Sequence, residues 1–334
     1  MSGTPFGNLS DGRQVDVVRL RRPGGLEVEI LTYGGIVHCL KVPGDAGLVE
    51  TIVGFDTLAE YENDRSYQAC VIGRTVNRVA GGRFHKDGRS YQVTQNEGQN
   101  HLHGGALGLT RRIWTADPRR DEAEPVVLRY TSLHGEEGYP GNLHAKITFS
   151  LPEPLALEIT YEAEVDAACP VDLTHHLYFN LGQDSFADIR GHRLGINGDH
   201  VLEVDTDYLA TGKRLPVEGT LFDLRRGRKI GDILEDSHPQ LTSIGLNQSW
   251  VTCGSGGTVA VLSAPETSIR LELSSDQPCL QVWSGLSRDV AAGGAIALEP
   301  QGFTDAVNQK TFPDPWLEPG QIYQRTNTYK FLTR

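Results

Sequence analysis

One pattern constrains this chain more than any other: apolar residues recur at every second position in run after run. "LALEITYEAEV" (155–165) is one example. "VDVVRL" (15–20), "LEVEILTYGG" (26–35), "VVLRYTS" (126–132), "LHAKITFSL" (143–151), "TVAVLSA" (258–264), "IRLELS" (269–274) and "YQRTNTYKFL" (323–332) repeat it. Successive side chains of a strand point to opposite faces, so this spacing turns one face to a core and the other to water. The 38 glycines and 17 prolines punctuate the runs instead of gathering into a linker. Helical spacing is scarce. "DTLAEYEND" (56–64), with Asp56 as its cap, and "KIGDILED" (229–236) are the two candidates. The expectation is an all-β chain, a large antiparallel β-sandwich with few short helices. No repeat, low-complexity segment or compositional break divides the 334 residues, so a single domain over 1–334 is expected.

Composition narrows the partners. The formal net charge is −12 and no Lys/Arg-rich block is present, which argues against nucleic acid. Cys39, Cys70, Cys169, Cys253 and Cys279 are scattered, with no CxxC, so neither a disulfide framework nor a zinc knuckle is expected. The start, "MSGTPFGNLSDGR", has no apolar core of a secretory signal, and no run approaches the length of a membrane span. A cytoplasmic protein acting on a small molecule, as a monomer or homodimer, is the expectation.

Polar residues among strands and turns locate the candidate chemistry. In "NHLHGG" (100–105), His101 and His103 are two apart, and on an extended strand both would reach one ligand. A metal needs a third and usually a fourth ligand, and no acid follows before Asp117. Half of an acid/base site, or a strand rim before a glycine turn, are the other readings. In "VDLTHHLYFNLG" (171–182), His175 and His176 are adjacent, so at most one of them joins a site. "ALEPQGF" sets Glu299 at the end of an apolar run, where desolvation raises a carboxyl towards the range of a general base. Arg78, beside Asn77, adds a cation with a fork of donors. The inventory holds acids, bases and donors but no activated nucleophile and no phosphate-binding glycine loop. It suits proton transfer on a hydroxylated small molecule.

These stretches, in their order, resemble the aldose 1-epimerases, or galactose mutarotases. "GRTVNRVAGGRF", "NEGQNHLHGG", "GYPGNL", "THHLYFNLG", "LATGKRLPVEGTLFDLR", "LQVWSG" and "LEPQGFTDAVNQKTFPDPWLEPGQIY" carry the resemblance over nearly the whole chain. It implies a galactose mutarotase-like sandwich with a sugar cleft, no cofactor and no metal. It implies interconversion of the α and β anomers of a free aldose. By position, Glu299 matches the general base, His176 the general acid and His103 the other active-site histidine. Arg78, Asn77, Gln281 and Asn247 match sugar-binding positions.

Two departures stand out. Asn247, Gln248 and Ser249 occupy a place where many members read Asp-His-Asn, and Leu286 stands where Asn is frequent. Both fall where sugar choice would be set, so a shift towards a pentose such as xylose or arabinose is expected. Three other functions compete. A non-catalytic sugar-binding protein would need no acid/base pair. A glycosidase would need a second carboxylate. An epimerase of phosphorylated hexoses would need a basic cluster at the cleft, for which Arg225–Arg228 is the candidate.

Overall fold

The computed structural model describes residues 3–45, 47–182, 188–236, 241, 245–286 and 294–333. Strands dominate it, and every ladder among the described residues is antiparallel. A nine-stranded sheet runs, from one edge to the other, through Thr115–Ala116, Val126–Ser132, Leu143–Glu153, Ala156–Val165, Tyr323–Leu332, Arg270–Ser275, Thr258–Ser263, Arg193–Ile196 and Arg228–Lys229. Its middle strand is the last of the chain, registered against Ala156–Val165 on one side and Arg270–Ser275 on the other. The alternation in the sequence becomes alternating burial. Along Leu143–Leu151, every odd-numbered residue is buried and the even-numbered ones are open to varying degrees.

A six-stranded sheet runs through Tyr178–Phe179, Ala295–Gln301, Cys279–Leu286, Asn247–Val251, His200–Val204 and Ala210–Pro216. One of its faces feeds Leu280, Val282, Ile296 and Leu298 into a core cluster shared with Ile147, Ile159 and Leu273 of the larger sheet. Phe179 meets Tyr329 across the gap, with ring centroids 5.6 Å apart. The result is the expected sandwich. An N-terminal five-stranded sheet, from Thr4–Asn8 to Gly47–Glu50, shares the same core cluster through Val15, Ile30 and Leu40.

The two α-helices are short, at Leu58–Asn63 and Ile230–Leu234. The first is capped by Thr57, not by Asp56: the Thr57 hydroxyl accepts from the Glu60 N–H, and the Glu60 carboxylate accepts from the Thr57 N–H. That reciprocal box satisfies two donors, which Asp56, one residue too early, is not placed to do. All five cysteines are free, and Cys253 alone is exposed. No helix among the described residues is long and apolar enough to cross a membrane.

Candidate active site

The outer face of the six-stranded sheet forms the floor of a cleft. Strand register sets the floor in two rows. Ser249 lies opposite Gln281, and Gln281 opposite Glu299. In the neighbouring row Asn247 lies opposite Trp283, Trp283 opposite Ala297, and Ala297 opposite Tyr178. His176 enters beside Tyr178, its ring stacked on the tyrosine at 4.6 Å between centroids. Tyr67 lies nearly parallel to His176 on another side at 6.4 Å, and Trp283 meets it edge-on at 6.2 Å. Aromatic rings thus shield the imidazole from water.

The paired histidines divide as their spacing requires. His175 turns into the core, where its Nδ1 meets the Tyr161 hydroxyl at 2.9 Å and its Nε2 meets the Gly35 carbonyl at 3.0 Å. His176 faces the cleft with Nε2 3.3 Å from Glu299 Oε1.

"NHLHGG" behaves differently from an extended strand. His101 and Leu102 pair with Val79 and Arg78, but the next residue leaves the strand: His103 has φ +53°. The two-residue alternation is broken there, so the two histidines do not share a ligand. His101 is a core residue, with Nδ1 at 2.6 Å from the Thr94 carbonyl and Nε2 at 2.7 Å from the Tyr139 hydroxyl. His103 turns into the cleft, where its ring meets that of Tyr67 edge-on at 4.8 Å. The following glycine permits this turn: a Cβ on Gly104 would sit 1.7 Å from the Gly73 carbonyl oxygen.

The backbone fixes the His103 tautomer. The Asn77 N–H donates to Nδ1 at 3.2 Å, and the His103 N–H donates back to the Asn77 carbonyl at 3.1 Å. A neutral imidazole that accepts at Nδ1 carries its proton on Nε2. Burial holds this imidazole neutral, far below the usual histidine range. His103 is therefore a built-in N–H donor.

That tautomer bears on metal binding. One ligating atom from each of His103, His176 and Glu299 lies within 4.8 Å of the others, so the fold supplies the third group that the sequence around His103 lacks. The hydrogen bonding does not suit a resident metal. A ligating histidine donates its second N–H to a carbonyl or carboxylate. Here the His103 Nδ1 accepts instead, and the His176 Nδ1 has no partner.

Glu299 and His176 are both desolvated. Burial lifts the Glu299 carboxyl to about 8, with the Arg78 guanidinium opposing the rise. Burial drops His176 to about 3. Glu299 Oε2 and His176 Nδ1 are buried without hydrogen-bond partners, which is uncommon in a folded interior and typical of groups kept for a ligand.

The remaining predicted residues gather around this pair. Glu299, His176, His103, Arg78, Asn77, Gln281 and Asn247 all line one cavity of about 300 Å³. Arg78 grips Glu97 through two bonds of 2.7 and 2.6 Å, and Tyr208 covers its guanidinium at 5.1 Å. Ser249 Oγ donates to Gln281 Oε1, and Gln281 Nε2 donates to Asn247 Oδ1 at 2.8 Å. The Asn247 amide N–H groups are left for a ligand. Glu97, Tyr67, Tyr208 and Trp283 also line the cavity, and the sequence reading missed them. Glu97 lies in "NEGQNHLHGG", four residues before His101, and its place beside Arg78 is visible only in the fold. The Leu286 side chain lies outside the described residues. Arg225 and Arg226 line a separate cavity that shares no residue with this one.

Comparison with known proteins agrees with this architecture. The Aldose 1-epimerase family profile matches residues 16–330. Human galactose mutarotase is 34% identical over 98% of this chain and 97% of its own length. The aldose 1-epimerase of Escherichia coli K12 is 30% identical over 96% of each chain. The crystal structure of galactose 1-epimerase from Lactobacillus acidophilus superposes with a TM-score of 0.87 at 25% identity, covering 98% of this chain and 97% of that one. By sequence and by fold, the chain belongs to the aldose 1-epimerase family.

Proposed function

We propose that this aldose 1-epimerase interconverts the α and β anomers of a free aldose with Glu299 and His176 as its acid/base pair. The observation that carries the assignment is the pair itself. A buried carboxyl with an unpartnered oxygen stands 3.3 Å from a buried imidazole, on the floor of a cavity of about 300 Å³. That volume is at the small end of the ligand-cleft range of about 300–1,000 Å³.

Burial pushes both members towards their uncharged forms, so at neutral pH the pair holds one proton. Carboxylate beside imidazolium and carboxyl beside neutral imidazole contain the same number of protons. Ring opening starts from the first form. Glu299 takes the O1 proton and His176 protonates the ring oxygen, which breaks the C1–O5 bond and gives the aldehyde. The pair is then in the uncharged form, the one that burial favours. Rotation about C1–C2 exposes the other carbonyl face. Ring closure returns the proton from Glu299 to O1 and takes the O5 proton back onto His176. The Nε2–H of His103 donates to the sugar, and Arg78 orients it. Acid and base catalysis each contribute about 10²–10⁴-fold.

A sugar-binding protein without turnover gains nothing from desolvating a carboxyl beside an imidazole. A glycosidase needs a second free carboxylate at the bond. The other carboxylate lining the cavity is Glu97, which Arg78 engages at both oxygens. One core cluster draws on all three large sheets, which supports the single-domain reading.

Anomer exchange measured by NMR on glucose, galactose, xylose and arabinose tests the assignment. Wild type accelerates exchange, and Glu299→Gln does not. No acceleration on any sugar would sink it. The pH profile tests the shared proton. If one proton on the pair is required, kcat/KM is level through neutrality and falls above about 8, where that proton is lost. A rise through the same range would mean that Glu299 acts alone as a base. The same panel tests the finer reading, a shift towards a pentose such as xylose or arabinose. Its support is Asn247, an amide without the charge of a carboxylate at that place. Rates on both pentoses no higher than on the hexoses would end it.

A further inference from the structure

The two ends of the cleft differ in chemistry. Across the sheet the floor runs from Tyr178 to Glu299, then Gln281, then Asn247. His176 stacks on Tyr178, and the Tyr178 hydroxyl donates to the Ser66 carbonyl at 2.6 Å. The segment Arg65–Tyr67 therefore closes the His176 end, and Asn247 lies at the opposite end.

The proposed reaction orients the sugar in this frame. With O1 at Glu299 and the ring oxygen at His176, C5 and its C6 arm extend on the His176 side. C2 and C3 extend towards Gln281 and Asn247. The C6 arm thus points to the end where Arg65 lines the cavity.

Arg65 is exposed and makes no ion pair or hydrogen bond among the described residues. The other arginine lining the cavity, Arg78, is neutralised by Glu97. Burial lifts Glu299 to about 8 and so favours its uncharged form at neutral pH. The lining therefore carries one uncompensated cation, on a protein whose formal net charge is −12. A C6 hydroxymethyl group offers that guanidinium only a neutral acceptor. A carboxylate offers it a charge-assisted pair of bonds in matching fork geometry.

We propose that the cleft accepts aldoses bearing a C6 carboxylate, the hexuronic acids, with Arg65 as the residue that selects for the carboxylate. This rests on the assignment of Glu299 and His176 to O1 and the ring oxygen. It differs from the pentose reading in what the C6 end is for, since a pentose has no C6 group to present.

The test compares anomer exchange of galacturonate and glucuronate with galactose, glucose and xylose at pH 7, for wild type and Arg65→Gln. At low ionic strength kcat/KM for each uronate should exceed that of its neutral counterpart by about fivefold to tenfold, the effect of one partly exposed charge pair. Added salt should shrink the gap. Arg65→Gln should remove the gap and leave the neutral sugars unchanged. Because Arg65 has no partner to lose, the variant should fold as wild type does, which thermal melting verifies. Uronates turned over no faster than neutral sugars by wild type would overturn the proposal. So would an equal loss on both classes in Arg65→Gln. If wild type turns over no sugar, the reaction assignment is what has failed. Calorimetric binding of galacturonate against galactose then decides the carboxylate site: tighter binding of the uronate that Arg65→Gln abolishes upholds it, and equal affinities reject it.

Discussion

The two large sheets of the sandwich face each other across one core, yet burial serves different ends in them. In the nine-stranded sheet one face is packed and the other is wet. Ala156–Val165 places Ile159, Tyr161 and Ala163 inside and leaves Glu158, Thr160 and Glu162 more open, where Glu162 pairs with Lys146 at 2.5 Å. In the six-stranded sheet the strand Ala295–Gln301 is buried at all seven positions. Its inward residues, Ile296 and Leu298, join the core cluster. Its outward residue Glu299 lies on the cleft floor, covered by rings and polar neighbours instead of by solvent. Burial in the first sheet removes apolar surface from water and stabilises the fold. Burial in the second removes water from a carboxyl and an imidazole, which costs stability and prepares the chemistry.

The sharpest way to break this contrast is Glu299→Gln. Its loss in kcat is expected to be about 10³-fold or more, since it removes the acid/base function outright. Its stability should move the opposite way. The folded-state carboxyl is raised from an ordinary 4.5 to about 8, so the native state of wild type loses stability as pH rises between these values. A neutral glutamine has no such loss. The melting temperature of the variant should therefore match wild type near pH 4.5 and exceed it by several degrees at pH 8. Equal melting temperatures at pH 8 would show that the carboxyl is not desolvated as described.

Ile159→Ala, on the inner face of the nine-stranded sheet, should do the reverse. Truncating this fully buried side chain should cost about 2–5 kcal/mol in denaturant unfolding. The fraction that remains folded should keep its kcat. A smaller effect sharpens the contrast within the cleft floor. Ser249→Ala removes the hydroxyl that holds Gln281, and so loosens Asn247 without touching the acid/base pair. KM should rise several-fold at nearly constant kcat, about 1 kcal/mol for one neutral hydrogen bond. A matching fall in kcat would place the relay in the transition state instead. The smallest effect belongs to the wet face. Lys146→Gln breaks the pair with Glu162 and should change stability by less than about 1 kcal/mol.

The same contrast explains what could be read in the sequence. Of the eight runs that alternate, 126–132, 143–151, 155–165, 258–264, 269–274 and 323–332 fall on strands of the nine-stranded sheet, and 15–20 and 26–35 on strands of the five-stranded sheet. His200–Val204 and Ala210–Pro216 did not stand out as strands, and Asn247–Val251 was noticed only for its departures. Asn247–Val251 buries three successive residues and so has no period-two signal to show, while Ala210–Pro216 is exposed or half-buried after Ala210 and has no buried face to alternate. The site residues were visible by another route, through motif order, and all seven of them meet in one cavity. What local spacing suggested for His101 and His103 failed, because it assumed an extended backbone through a residue with φ +53°.

By itself, then, the sequence determined the class of fold, because period-two burial is a local property, and through the order of its motifs it singled out the residues proposed as acid, base and their neighbours. Only the tertiary structure decided how they act. It brought residues 176 and 299 to 3.3 Å, set the tautomer of His103 from a backbone N–H, and tied up Arg78 with Glu97 while leaving Arg65 unpaired among the described residues. Desolvation, tautomer choice and charge pairing depend on atoms far apart in the chain, and no stretch of sequence contains them.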